Sequence, residues 1–340
     1  MNTITMDLHT HLNEKNTLPE DYWNRVKEIK LDAVAITEHN YCNPKQAFEK
    51  LQKTKPENVI LIPGMELTTS VGHVLIYATN EKLYEEIELM ENGADIERVI
   101  EISKKNKFYL SLAHPFGYEN DSVCFIANKA TAKKLIGKGC GIEIYNGLIS
   151  HLSNFLFDSN WITKPFNFLS FLEKNFVSRN IGLGKVGVKI KDSFDSKRQD
   201  ILMRCINSIE LGKEAEFVTA GSDAHSADRI GTGIMKIKFE QELNPQNILE
   251  ALKQKENIIW SGPLIKETEK GVYEKVEDPL TGKEIAQGIK YITTEAVKKR
   301  SRKMSTEKIR NKIKDRINEN RITKKIRKIR NNRKNKKVEE

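Results

Sequence analysis

The chain has 340 residues, 38% of them apolar and 31% charged, enough for one large α/β domain or two average ones. No run of about 18 apolar residues occurs, which argues against a membrane-spanning helix, and Met1–Asp7 lacks the basic start and apolar stretch of a signal peptide. Cys42, Cys124, Cys140 and Cys205 form no C-x-x-C pair, which argues against a disulfide framework or a thiolate zinc site and for a reducing, cytoplasmic setting.

In chain order, Ile4–Leu8 reads as a short apolar strand ending on His9 and His11, and Pro19–Ile29 as a helix opened by Pro19, Glu20 and Asp21. Ala33–Thr37 is β-prone and runs into Glu38 and His39. Pro44–Lys53 is a second helix, and Val59–Ile62 is a buried type of strand followed by Pro63, Gly64 and Glu66. His73–Ala78 is a strand, Ile96–Lys104 a helix, and Phe108–Ala113 leads to His114 and Pro115. Ala127–Ile136 is helical, Gly141–Tyr145 is a strand before Asn146, and Phe217–Ala220 is a strand before Gly221-Ser222-Asp223-Ala224-His225. Residues 245–262 add a helix and the strand Ile258–Trp260. This mostly βαβα order predicts a parallel sheet or barrel.

Three stretches depart from that rhythm. Residues 148–200 are aromatic- and Gly-rich and read as an insertion, either a cap over the site or irregular surface. Residues 263–295 read as a linker. Residues 296–340 hold 20 Lys and Arg against 5 Asp and Glu, so the net charge of +10 arises in this tail and the body is mildly acidic. Within it Ile309, Ile313, Ile317, Ile322, Ile326 and Ile329 approximate one helical stripe. Such a segment suits nucleic-acid phosphates, an anionic membrane surface or a partner protein, or is a disordered tail with no specific partner. It has no aromatic residue for base stacking.

Six of the seven histidines lie at strand ends, or at a strand start after a Glu-bearing turn; His151, in the insertion, is the exception. In a barrel, strand ends form the rim where active sites are built. His9 and His11, two apart on a strand, point to one side and can hold one divalent ion; Asp223 and His225 repeat that spacing. Glu66 has two oxygens with which to bridge two ions. Mixed imidazole and carboxylate donors suit zinc, manganese or iron.

The segments Asp7-Leu8-His9-Thr10-His11, Ala35-Ile36-Thr37-Glu38-His39-Asn40, Pro63-Gly64-Met65-Glu66, His73-Val74-Leu75-Ile76-Tyr77, Leu112-Ala113-His114-Pro115, Gly141-Ile142-Glu143-Ile144-Tyr145-Asn146 and Gly221-Ser222-Asp223-Ala224-His225 resemble, in order, the motif series of the PHP (polymerase and histidinol phosphatase) family. The resemblance covers roughly residues 3–262, with 148–200 poorly matched, and Gly231-Thr232-Gly233 adds a likeness to the C-terminal part of stand-alone members. It implies a distorted (β/α)7 TIM-like barrel over residues 1–262 and two or three divalent metals. The first would take His9, His11, Glu66 and Asp223; the second Glu66, His73 and His114; the third His39, His225 and a residue just after the H-x-H. At that last place the usual Ser-Asp-Gly or histidine is replaced by Leu12-Asn13-Glu14-Lys15-Asn16, leaving Glu14 as the candidate. Glu38 stands where Asp is usual, which an orienting role would tolerate.

The expected activity is metal-dependent hydrolysis of a phosphate ester of a small metabolite or nucleotide by activated water. Asp223 and His225 are the candidate catalytic residues, and Arg229 and Lys185 the candidates to grip phosphate. Competing readings are a nuclease or nucleic-acid-end phosphatase anchored by residues 296–340, a non-catalytic nucleic-acid-binding or interaction protein, and a hydrolase of C–N bonds. The sequence leaves substrate, metal and oligomeric state open.

Overall fold

The structure, a computed structural model, describes residues 2–150 and 200–262 and the backbone of two short strands at 265–267 and 273–275. The chain divides into two units, Met1–Leu280 and Thr281–Glu340, and the described residues all belong to the first. Most of the insertion and the basic tail lie outside the described residues. No helix among the described residues is long and apolar enough to cross a membrane.

Strand β1 (Asn2–Thr10) pairs in parallel with β2 (Ala33–Ile36), and β2 with the first half of β3 (Ile60–Thr69). The second half of β3 turns tightly into β4 (Gly72–Tyr77), which runs antiparallel to it and to β5 (Tyr109–Leu112). Parallel pairing resumes through β6 (Gly141–Asn146) and β7 (Val218–Gly221). The end of β7 then meets β1: Asp223 N donates to His9 O at 2.8 Å and His11 N to Ala224 O at 2.9 Å. Seven strands thus close into a TIM-like barrel with one strand reversed, the fold class the sequence predicts. Gly221 permits the seam, since a Cβ there would fall 2.4 Å from both N and Cβ of His9.

The alternating strand β8 (Ile234–Phe239) pairs antiparallel with the first half of β1 and carries β9 (Ile258–Ser261), β10 (Ile265–Glu267) and β11 (Tyr273–Lys275) outward from the barrel. The segment read as a linker therefore contributes two strands to the sheet.

The barrel strands are short, nearly continuous apolar runs because both faces are covered; all four residues of β2 are buried. Helices pack outside. They include α1 (Pro19–Glu28), α2 (Pro44–Lys53), α3 (Ile96–Asn106), the single turn α4 (Val123–Ile126), α5 (Lys129–Ile136), α6 (200–212) and α7 (Pro245–Ala251). Asn43, in the left-handed region at φ 58°, caps α2 by accepting from Gln46 N at 3.1 Å. Asn128 caps α5 in the same way, so the helix expected from Ala127 starts at Lys129, after the separate turn α4.

Two boundaries shift with consequences. β1 extends through His9, and β3 does not stop at Pro63-Gly64 but exchanges partners there, leaving β2 for β4. Gly64 sits where both neighbours crowd in: a Cβ would meet Ile76 O and Thr37 Cγ2 at 3.0 Å. Glu66 consequently projects from a strand rather than from a turn.

Candidate metal centre

All nine predicted site residues come together at the C-terminal rim of the barrel. His9 and His11 deliver their Nε2 atoms to one point from the end of β1. His9 Nε2 lies 3.4 Å from Glu66 Oε2 and 3.6 Å from Asp223 Oδ1, and His11 Nε2 lies 3.4 Å from both. All four side chains are buried. The other Glu66 oxygen faces the reversed strand: Oε1 is 2.8 Å from His73 Nδ1 and 2.9 Å from His114 Nε2. His39 bridges outward, with Nδ1 3.2 Å from Glu66 Oε2 and Nε2 3.7 Å from Glu14 Oε2. Glu14 in turn lies 2.6 Å from His225 Nε2. Three groups of donor atoms are close enough to share an ion: His9, His11, Glu66 and Asp223; His39, Glu66 and His73; and His11, Glu14, His39 and His225.

Asp223 and His225 do not repeat the geometry of His9 and His11. They follow the end of β7, and Asp223 is left-handed at φ 53°, which breaks strand alternation and turns its carboxylate inward while His225 faces Glu14. His114 also has positive φ, 28°. Such conformations cost about 1–3 kcal/mol for a residue with a Cβ and persist where surrounding structure over-determines them.

The fit of cations to this place can be judged from the donors. The Nε2 atoms of His9 and His11 and the Nδ1 atom of His39 are buried without an aligned hydrogen-bond partner, a costly state unless something else engages them. A ligand bond of about 2.1 Å at a tetrahedral angle separates donor atoms by about 3.4 Å, the spacing found in the His9 group. The buried carboxylates of Glu66 and Asp223, with partly buried Glu14 in the same cluster, demand positive charge.

Without a metal, protons supply part of that charge. Burial alone pushes the Glu66 carboxyl up, but His39, His73 and His9 and the bond to His114 outweigh it and hold the group well below the usual carboxylate range. Asp223 is likewise held down, against burial, by His9, His11 and His225. Glu14 falls to about 2, burial being outweighed by its bond to His225. Burial opposes charge on His11, yet Asp223, Glu38 and Glu66 raise it to about 9. His39 goes the other way, to about 4: burial leads, Glu66 opposes it, and the neighbouring His11 and His73 add to the lowering.

A shell of polar groups aims these donors. Glu143 Oε1 accepts from His9 Nδ1 at 2.8 Å, and its Oε2 accepts from His114 N at 2.7 Å and Asn146 Nδ2 at 3.2 Å. Asn146 also donates to Asp223 Oδ2 at 3.1 Å. Glu38 accepts from Leu12 N at 2.9 Å and stands 3.4 Å from His11 Nδ1, the orienting place expected of it. Ser122 Oγ lies 3.3 Å from His114 Nδ1. Asp7, in the first motif, accepts from Ser222 N at 2.8 Å and Gly231 N at 2.9 Å, fastening the later half of β1 to the Gly221–Asp223 turn and to Gly231. Glu143 and Asn146 received no role from the sequence, although a charged residue between Ile142 and Ile144 in a buried strand is a visible anomaly. Arg229 lies on the short turn Ala227–Arg229 just past His225; Lys185 and His151 lie outside the described residues.

Comparisons with known proteins agree with this geometry. The structure of PsfC from Pseudomonas syringae superimposes with a TM-score of 0.50 at 17% identity, covering 77% of this chain and 92% of that one, which shows a shared fold. More distant likenesses are the lesion-specific endonuclease PfuEndoQ from Pyrococcus furiosus (TM-score 0.42, 13% identity, 74% of this chain and 56% of that one) and an amidohydrolase from Chromobacterium violaceum (0.37, 11%, 74% and 96%). No curated relative matches the sequence. The profile described as PHP-associated matches residues 217–257, the segment that closes the barrel and carries Asp223 and His225. The profile described as PHP domain matches residues 7–181, more than half of the chain, and the protein belongs to the PHP domain family of metal-dependent hydrolases.

Proposed function

We propose that the protein hydrolyses a phosphate ester of a small metabolite or nucleotide. The observation that carries this reading is the set of buried, unpartnered imidazole nitrogens converging with Glu66 and Asp223 at the spacing of a shared ion's donors. His9, His11, Glu66 and Asp223 would hold one divalent cation. Glu66, His73 and His114, with His39 at the same cluster, would hold a second, and Glu14, His39 and His225 a third. Manganese, zinc or iron suits these donors. Such cations lower the pKa of bound water and polarise a phosphoryl oxygen.

The chain's own residues set the stage for that chemistry. His9 donates its Nδ1 proton to Glu143, which leaves Nε2 as an acceptor aimed at the cluster. His225 holds its Nδ1 proton on the Asp223 carbonyl, 2.9 Å away, so that its Nε2 faces the site. His225 and Glu14, both only partly buried, form the outer edge of the site. In a site whose outer cation is absent, His225 Nε2 would instead be the atom placed to hand a proton to a leaving oxygen. A nucleic-acid end is the second substrate reading, carried by the excess of 20 basic over 5 acidic residues in 296–340.

Metal analysis of the purified chain, with a screen of phosphomonoesters and short oligonucleotides, tests both. Hydrolysis that disappears with chelation and in Asp223→Ala is expected, and Glu14→Gln should lower metal content by one equivalent while leaving the rest. Full activity after chelation would overturn the proposal. Deletion of residues 296–340 that spares small esters but abolishes oligonucleotide cleavage would decide for the second reading.

A further inference from the structure

At the opposite end of the barrel lies a cavity of about 660 Å3, within the 300–1,000 Å3 range of small-molecule sites. It is bounded by the beginnings of β5 and β7 and by the chain just before β6, at Tyr109, Phe217 and Cys140. Tyr109 and His114 are five residues apart along β5 and its end, about 16 Å at the rise of a strand, so the cavity is separate from the metal centre.

Its walls carry Lys82, Lys104, Lys105, Lys107, Lys138 and Lys253 against the carboxylates of Glu216 and Glu250. Two of the lysines are engaged: Lys138 with Glu97, and Lys253 with Glu216 at 3.7 Å and Glu250 at 3.4 Å. Lys82, Lys104, Lys105 and Lys107 make no ion pair among the described residues. Lys104 and Lys105 complement the carbonyl end of α3, but that does not account for Lys82 after β4, Lys138 before β6 or Lys253 after α7, which reach the same space from other segments. Beneath the lysines Ser103 borders the cavity. Its hydroxyl is buried, at 3% exposure, and has no hydrogen-bond partner, a state that a ligand's acceptor would relieve. One wall is aromatic. Phe108 and Tyr109 are half-buried, and Tyr109 meets buried Phe217 edge-on at 5.7 Å.

We infer that this cavity is a second binding site, for a nucleotide: the lysines take its phosphates, and half-buried Phe108 and Tyr109, backed by Phe217, take its ring. The inference does not depend on the hydrolytic reading, because the residues are different and the test is a binding measurement with the metal centre disabled.

The test is calorimetric titration of the full chain with ATP in the presence of EDTA. One molecule per chain should bind, and in the His9→Ala/Asp223→Ala variant the affinity should stay within about twofold. The exposed pair Lys104→Glu/Lys107→Glu should weaken binding by at least about tenfold, or 1.4 kcal/mol, while a single cooperative unfolding transition and an unchanged circular dichroism spectrum show an intact fold. Pyrophosphate should bind more weakly than ATP. Absence of ATP binding up to millimolar concentration, unchanged affinity in the lysine variant, or loss of binding in the metal-centre variant would overturn the assignment, as would pyrophosphate binding as tightly as ATP. Comparing Lys104→Glu/Lys107→Glu with the parent also separates this site from the basic tail, which both proteins retain.

Discussion

Replacing Glu143 by Gln is a sharp probe of how the metal centre is assembled. The two Glu143 oxygens receive three donors: His9 Nδ1 on one, and His114 N and Asn146 Nδ2 on the other. Glutamine has the same shape but offers one acceptor and one amide donor. If its oxygen turns toward His114 and Asn146, its NH2 faces His9 Nδ1, and the proton of the neutral imidazole must move to Nε2, the atom aimed at Glu66 and Asp223. If the oxygen stays on His9, the NH2 confronts two other donors. Glu143 is 1% exposed, so water cannot relieve either conflict. The first outcome lowers metal affinity by about 10–100-fold, as expected for the partner that orients a ligating histidine. The second leaves a buried backbone donor unsatisfied and costs about 1–3 kcal/mol. In a domain of this size each kcal/mol lowers Tm by about 2–4 °C. Competition of the variant against a chromophoric chelator, and thermal unfolding of its metal-free form, read the two outcomes separately. An affinity within twofold of the parent together with an unchanged Tm would refute the reasoning.

Gly221→Ala should open the barrel seam. Its new Cβ falls on His9 backbone, so a loss of more than about 3 kcal/mol is expected, with Tm and bound metal falling together; a stable variant with full metal content would contradict the packing described. Thiol reactivity gives a pH test on groups that are not metal ligands. Burial pushes the thiols of Cys140 and Cys205 up to about 12, so both should resist alkylation at pH 8 until the chain unfolds, as measured by mass spectrometry after timed quenching. Because these folded values exceed the ordinary thiol value, the stability they confer is complete below about pH 9 and is lost as pH climbs through about 12; a flat unfolding profile over that interval would count against the buried placement.

Much of the barrel was readable because its signal is local. Short apolar runs such as Ala33–Ile36 and Gly141–Asn146 mark strands covered on both faces, and histidines directly after such runs mark the rim. The ends of elements were less readable, since Pro63-Gly64 ordinarily terminates a strand and only the exchange of β2 for β4 explains its continuation. β8 was available in the alternation of Met235, Ile237 and Phe239 with Lys236 and Lys238, whose burial alternates likewise. The pairing of Glu143 with His9 was not available, because 134 positions separate them and only closure of the sheet brings them to 2.8 Å. The left-handed backbone at Asp223 was equally hidden, as nothing in Ser-Asp-Ala distinguishes it from an extended stretch.

The reversed strand turns the β3–β4 hairpin into a ruler. Thr69 pairs with Gly72 across Ser70-Val71, Thr68 with His73 and Glu66 with Leu75, which sets Glu66 and His73 diagonally on one face, 2.8 Å apart. Elsewhere around the rim a loop can grow without moving the strand ends it joins. Here a single added residue would slip the register by one and swing His73 to the outer face of the wall. Length is therefore fixed at this turn by the chemistry it measures out.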